Sequence, residues 1–336
     1  MGPLRALVRT VRMARHTSRL AVGLVADDEV LLDAPDERLG PALVAAGRGE
    51  YAPAAKLLAT TREAAEWENR DRYALRLATF AHARDAWLRA WHAAAPHDPD
   101  VLLIRAELAV ARGWDSPARV ELLREVGPLV AAAAEGEPRD PVPWRIALDH
   151  ARGTGLGHTG FERLWAEAVR RSPHHYGCHV SALKYLSAAW YGSHRECFDF
   201  AERAAEDALP GSLVRALPVR AALAYLTEDG GAVIPRARLD EAADGAIALS
   251  AEYAPGDPWP AEVRNLLTYV LVRLERWPDA LAQLRMIGPY ATSFPWDRMS
   301  DDPLGQFLQL RDGVRLEVAC SIPLRARPER PGRAAG

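Results

Sequence analysis

The chain has 336 residues, 49% of them hydrophobic, with 42 basic against 45 acidic side chains and a formal net charge of -3. That near-balance argues against a surface built for nucleic acid or an anionic membrane, and no apolar run approaches the ~20 residues of a membrane span. Three cysteines are too few, and odd in number, for a disulfide-stapled secreted domain, so a cytoplasmic protein is expected.

Ala and Leu supply much of the apolar share, and Val, Ile and Thr runs with period-two alternation are nearly missing. The expected fold class is therefore all-α. Among the basic residues only Lys56 and Lys184 are lysines, so the abundant Arg reads as compositional bias rather than phosphate recognition.

Residues 1–35 open with Arg5, Arg9, Arg12, His16 and Arg19 on one helical face and Leu4, Leu7, Val8 and Val11 on another. With Arg15, these cations also break up the apolar core that a signal peptide would need. The stripe has two readings: a solvated capping helix, or a basic element recruiting anionic membrane or nucleic acid.

From Asp36 a repeat becomes visible. Candidate first helices begin near Asp36, Asn69, Pro99, Pro141, His174, Gly211 and Trp259, in steps of about 30 to 48 residues against the ~34 of tetratricopeptide repeats. Turns of one frame begin at Gly49, Gly113, Gly192 and Glu275, with a small residue five positions on at Ala54, Ala118, Cys197 and Ala280. Pro53, Pro117 and Pro278 fall where a second helix would start, and Pro96, Pro173 and Pro255 follow second helices.

This pattern resembles a tetratricopeptide array over about Asp36 to Gly288. The resemblance implies a right-handed α-solenoid of about seven helical hairpins, each leaning on the next. The repeat domain is expected over 36–316, with Asp301 to Leu316 as its closing cap and a disordered tail over 317–336. Within it, Lys184 to Ser212 resembles an uncharacterised actinobacterial helical-repeat family with a W-x-G-S-H motif. That family usually has a basic residue before the Trp, where this chain has Ala189.

The motif residues Trp190, Tyr191, Gly192, Ser193 and His194 sit between two periodic segments, Tyr176 to Ala189 and Arg195 to Leu209. They read either as a partner contact or as a wedge, with Trp190 between hairpins, Gly192 in a left-handed cap and Ser193 capping the next helix.

The same hairpin holds His175, His179, His194 and Cys197, which as residue types could ligate a metal. The two pairs lie at opposite ends of the first helix, on the order of 15 to 20 Å apart, so one shared site is not the expected reading and no cofactor is expected, while the four residues stand as the metal candidates. His174, His175 and His179 together could form a small pH-sensitive patch.

Gly153 to Gly160 is glycine-rich but lacks the strand before it and the Lys-Ser/Thr of a phosphate loop, so it reads as a turn. The acidic and arginine residues between Glu63 and Arg72 read as surface pairing without chemistry. The expected function is a non-enzymatic scaffold that binds a protein or peptide on a concave face. Its candidate docking residues are Arg105, Arg145, His179, Lys184, Arg220, Asn265 and Tyr269. The rivals are a metal-dependent function of the His/Cys hairpin 174–197 and recruitment through the N-terminal Arg stripe.

Overall fold

The computed structural model describes residues 22–228, 231 and 233–321. The N-terminal Arg stripe lies outside the described residues, as does the tail from 322 onward. Among the described residues the protein is almost wholly helical, and its one strand pairing joins Leu31–Leu32 in parallel to Tyr290–Ala291.

The chain divides into two compact units, so the boundary expected at residue 35 is joined by a second one near 249. The larger unit, residues 35–249, opens with α1 (Leu39–Gly47), α2 (Ala52–Glu63), α3 (Trp67–Ala83) and α4 (Ala86–Ala94). It continues through α5 (Pro99–Trp114), α6 (Arg119–Glu135), α7 (Val142–Thr154) and α8 (His158–Arg171). Next come α9 (Tyr176–Tyr185), α10 (His194–Asp207), α11 (Leu217–Thr227) and α12 (Arg236–Ala251), whose last turn crosses the boundary.

Local chemistry starts and stops these helices. The Asp98 side chain accepts the Asp100 amide at the start of α5, and Ser193 accepts the Glu196 amide at the start of α10. Pro53 stands in the first turn of α2, where a missing N–H costs nothing. The glycine-rich segment is the expected turn: Gly155 closes α7 in the left-handed region at φ 75°. Pro96 and Pro173 follow α4 and α8 directly.

Packing follows a simple order. Alternate helices form a row, α3 against α5, α5 against α7, α7 against α9 and α9 against α11. The intervening helices α4, α6, α8 and α10 pack against their neighbours in sequence. The row hides Leu77, Leu103, Ile104, Ile146, Leu148 and Tyr185, while Trp87 and Trp91 from α4 are shut in beside it. Each such side chain contributes roughly 1.5 to 3 kcal/mol by leaving water.

Four expectations need correction. Helix α9 stops at Tyr185 rather than Ala189, because the backbone turns there: the Tyr191 and Gly192 amides donate back to the Tyr185 and Ser187 carbonyls. Gly192 is required for a close approach rather than a left-handed cap, since a Cβ on it would collide with the Leu186 carbonyl, and its φ is not positive. Ala118 is exposed and precedes α6, so the Gly113 turn lacks the buried small residue that Ala54, Cys197 and Ala280 supply elsewhere. Residues 317–321, assigned to a disordered tail, form the last turn of a helix.

The smaller unit comprises described residues 22–34 and 250–321, with α13 (Ala261–Arg273), α14 (Trp277–Ile287) and α15 (Pro303–Ser321). Ser293 donates its hydroxyl to Asp33 at 2.7 Å, and Arg311 of α15 donates to the Asp27 carboxylate. Segment 22–34 is thus held into this unit by side-chain bonds. Its inner face holds Arg264, wholly buried, whose guanidinium donates to the Ser250 hydroxyl and to the carbonyls of Ser250, Tyr253, Ala254 and Met286.

Candidate functional site

The row of alternate helices gathers charge from distant parts of the sequence. At its centre α7 carries Arg145, Asp149 and Arg152, three or four residues apart and therefore on one face. Arg145 donates to Glu107 of α5 at 2.5 Å and to Asp71 of α3 at 2.8 Å. Burial opposes its charge, but those two carboxylates outweigh it and hold its pKa well above the ordinary value. Burial pushes the Glu107 carboxyl up despite Arg145.

Asp149 is shared. It accepts from Arg152 at 3.2 Å and from the Ser181 hydroxyl of α9 at 3.0 Å, and lies 3.7 Å from Arg145. Its burial works against ionisation, yet Lys184, Arg152 and Arg145 prevail and lower its pKa.

Lys184 projects from the next helix of the row. It is exposed, and it has no ion pair or hydrogen bond among the described residues. Desolvation nevertheless lowers its pKa, with Arg220, Arg152 and Arg145 acting in the same sense and Asp149 against them. Arg220 of α11 stands beside Lys184, donating to the Tyr176 hydroxyl at 3.0 Å and lying 5.8 Å from that ring.

The start of α9 is tied into the same face. Glu68 of α3 accepts the Tyr176 amide at 2.7 Å, and His175 Nδ1 accepts the Cys178 amide at 3.2 Å as the helix cap. With Nδ1 occupied, the ring proton stands on Nε2, 3.8 Å from Asp71.

Three of the seven expected docking residues, Arg145, Lys184 and Arg220, therefore share one face, although Arg145 is spent on carboxylates. Arg105 points elsewhere, into a cleft of about 490 Å³ with His92 of α4 and Glu125 of α6. His179 lines a different cleft between α8 and α10. Asn265 and Tyr269 belong to the smaller unit. There Asn265 is wholly buried, donating to the Ala261 and Tyr290 carbonyls and accepting from Trp296 Nε1, so it is no docking group.

The motif residues are structural. Trp190 meets Trp114 edge-on with ring centroids 5.2 Å apart, and the Arg119 and Arg152 guanidiniums lie over both rings. The Tyr191 hydroxyl donates to the Arg152 carbonyl, Ser193 caps α10, and His194 is buried with its ring edge-on to Tyr225. The proposed metal ligands do not converge: Cys197 contacts the Leu183 carbonyl and His179 the His175 carbonyl. Among the described residues no group of three or more His, Cys, Asp or Glu side chains is placed to hold a metal ion.

Sequence reasoning missed Asp71, Glu107 and Asp149, and it assigned 63–72 to surface pairing. Arg70 in that segment is instead wholly buried, held by Asp100 at 2.7 Å and Asp140 at 2.6 Å. Their acidic positions on alternate helices were the available signal, legible only once the helices are known to stack. No helix among the described residues is long and apolar enough to cross a membrane. No family model, no curated protein and no solved structure matches this chain.

Proposed function

We propose that the chain is a non-enzymatic scaffold for a protein or peptide, built from tetratricopeptide-like hairpins progressing as a right-handed solenoid, with its docking face on α7, α9 and α11. The repeated two-helix spacing and the row of alternate helices support the repeat reading. The observation that carries the function is Lys184: an exposed basic residue with no ion pair or hydrogen bond among the described residues, set near Arg152 and Arg220 on a face where Arg145, Asp149 and Arg152 are already paired.

A partner supplying a carboxylate would gain a charge-assisted hydrogen bond there without having to break an existing pair. The location expected for such a scaffold is the cytoplasm.

The test is affinity for a partner purified from the native host, measured with Lys184→Glu and Arg220→Glu. Loss of an order of magnitude or more from each supports the face, at the ~1.4 kcal/mol that a tenfold change represents. Unchanged affinity in both variants overturns it.

A further inference from the structure

A second recess lies in the larger unit, between α8 and α10 with α9 as its floor, and has a volume of about 510 Å³. It belongs to neither the charged face nor the motif. Four rings line it: Trp165 from α8, His174 just before α9, His179 from α9 and Phe200 from α10. Trp165 stands edge-on to His179 at 5.0 Å and to Phe200 at 5.5 Å, and His179 lies 6.0 Å from Phe200.

His179 is the informative residue. It is only 5% exposed. Its Nδ1 lies 2.9 Å from the His175 carbonyl, which can only accept, so Nδ1 carries the proton and Nε2 presents a lone pair. That Nε2 has no hydrogen-bond partner among the described residues. Burial pushes the ring's pKa down to about 4, so the acceptor persists at neutral pH.

The lip of the recess carries acidic groups. Glu196, Asp199 and Asp207 of α10 face it beside Arg203; Asp199 is held by Arg238 at 2.5 Å and lies 3.8 Å from Arg195, so Glu196 and Asp207 are the acids that remain for a ligand. Aromatic walls, a buried acceptor with no donor and an acidic rim are complementary to a group that is positively charged, donates N–H and has an apolar stem.

We propose that this cleft binds an organic cation of the alkylguanidinium or alkylammonium class, its N–H donating to His179 Nε2 and its charge lying among the rings beneath the acidic rim. The site is separate from the Lys184 and Arg220 face, which favours the opposite charge, so either can fail without the other.

Calorimetric titration of the full chain with butylguanidinium tests it, with butyltrimethylammonium, which has the charge but no N–H, as the comparison. The expected result is saturable binding, roughly tenfold or more tighter than the trimethyl compound and weakened to a similar extent by His179→Phe. Asp207→Asn, on the rim, should weaken it severalfold with the fold intact by circular dichroism. If His179→Phe does not fold, Asp207→Asn and the trimethyl comparison decide. Tighter binding of an arginine flanked by peptide bonds would identify the source as a peptide side chain, and equal binding a free cation; both support the chemistry. No saturable binding, equal binding of the two compounds, or equal binding by wild type and variants overturns it.

Discussion

Arg70 and Asp140, 70 positions apart in the chain, meet through a 2.6 Å bond from the guanidinium Nε to a carboxylate oxygen, and neither side chain reaches solvent. Asp140 also accepts the Val142 amide at the head of α7, and Arg70 donates to the Leu58 carbonyl of α2. One ionic contact thus joins α2, α3 and the entry to α7. Arg70→Met should destabilise the protein by about 3 to 5 kcal/mol, because Asp140 would be left as a buried carboxylate without its cation and Asp100 would keep only Arg62, at 3.2 Å. The double change Arg70→Met and Asp140→Leu should cost less than Arg70→Met alone. Urea midpoints, with the slope checked for two-state behaviour, decide between these outcomes.

The smaller unit offers a different case. Arg264 is buried among carbonyls and a hydroxyl, with no carboxylate bonded to it, and burial lowers its pKa. Arg264→Lys keeps a positive charge but cannot span acceptors contributed by Ser250, Tyr253, Ala254 and Met286. The expected cost is about 2 to 4 kcal/mol, since several carbonyls lose donors at once. Amide exchange should accelerate in α13 and α14 more than in α5 and α7. Uniform acceleration would contradict that assignment.

Close approach at the α9 to α10 turn gives a third prediction. Gly192→Ala places a methyl group against the Leu186 backbone carbonyl, which cannot swing aside as a side-chain tip would. A loss of about 1 to 3 kcal/mol is expected, with far-ultraviolet dichroism unchanged. Gly245→Ala in α12, where an added Cβ meets nothing, serves as the control and should be neutral or slightly stabilising.

His179 makes stability depend on pH with a definite sign. Its folded pKa of about 4 lies below the 6.5 of a free ring, so between those values the unfolded chain binds the extra proton. Stability from this residue is complete above about 6.5 and is lost as pH falls toward 4, on the order of 3 kcal/mol at the limit. Glu107 and Asp140 contribute with the opposite sign, because burial raises their pKa values. The difference between wild type and His179→Phe removes that background. Parallel stability profiles of the two proteins from pH 4 to 7 would show the ring is not buried neutral.

How much of this was legible in the sequence depends on what each feature needs. Helix starts near Pro99, Pro141 and His174 were visible because a capping side chain or proline marks them locally, and Asp98, Ser193 and the proline positions fall where chain chemistry requires. The row of alternate helices left a trace in the spacing. The carboxylates that bind Arg145 left none, because Asp71 and Glu107 lie 74 and 38 positions away and become its neighbours only after three helices stack. Asn265 misled for a related reason. A polar residue on a first helix looked available, but the Trp296 indole, 31 positions later, closes over it.

The setting of Lys184 has a practical corollary for anyone wishing to watch this surface. The chain holds two lysines, and the amine on α9 is the one whose desolvation favours its uncharged, nucleophilic form. An acylating dye applied at mildly alkaline pH should therefore mark that spot ahead of Lys56, with the chain's α-amine as the other labelled group, giving an optical reporter on the docking face without any engineered cysteine.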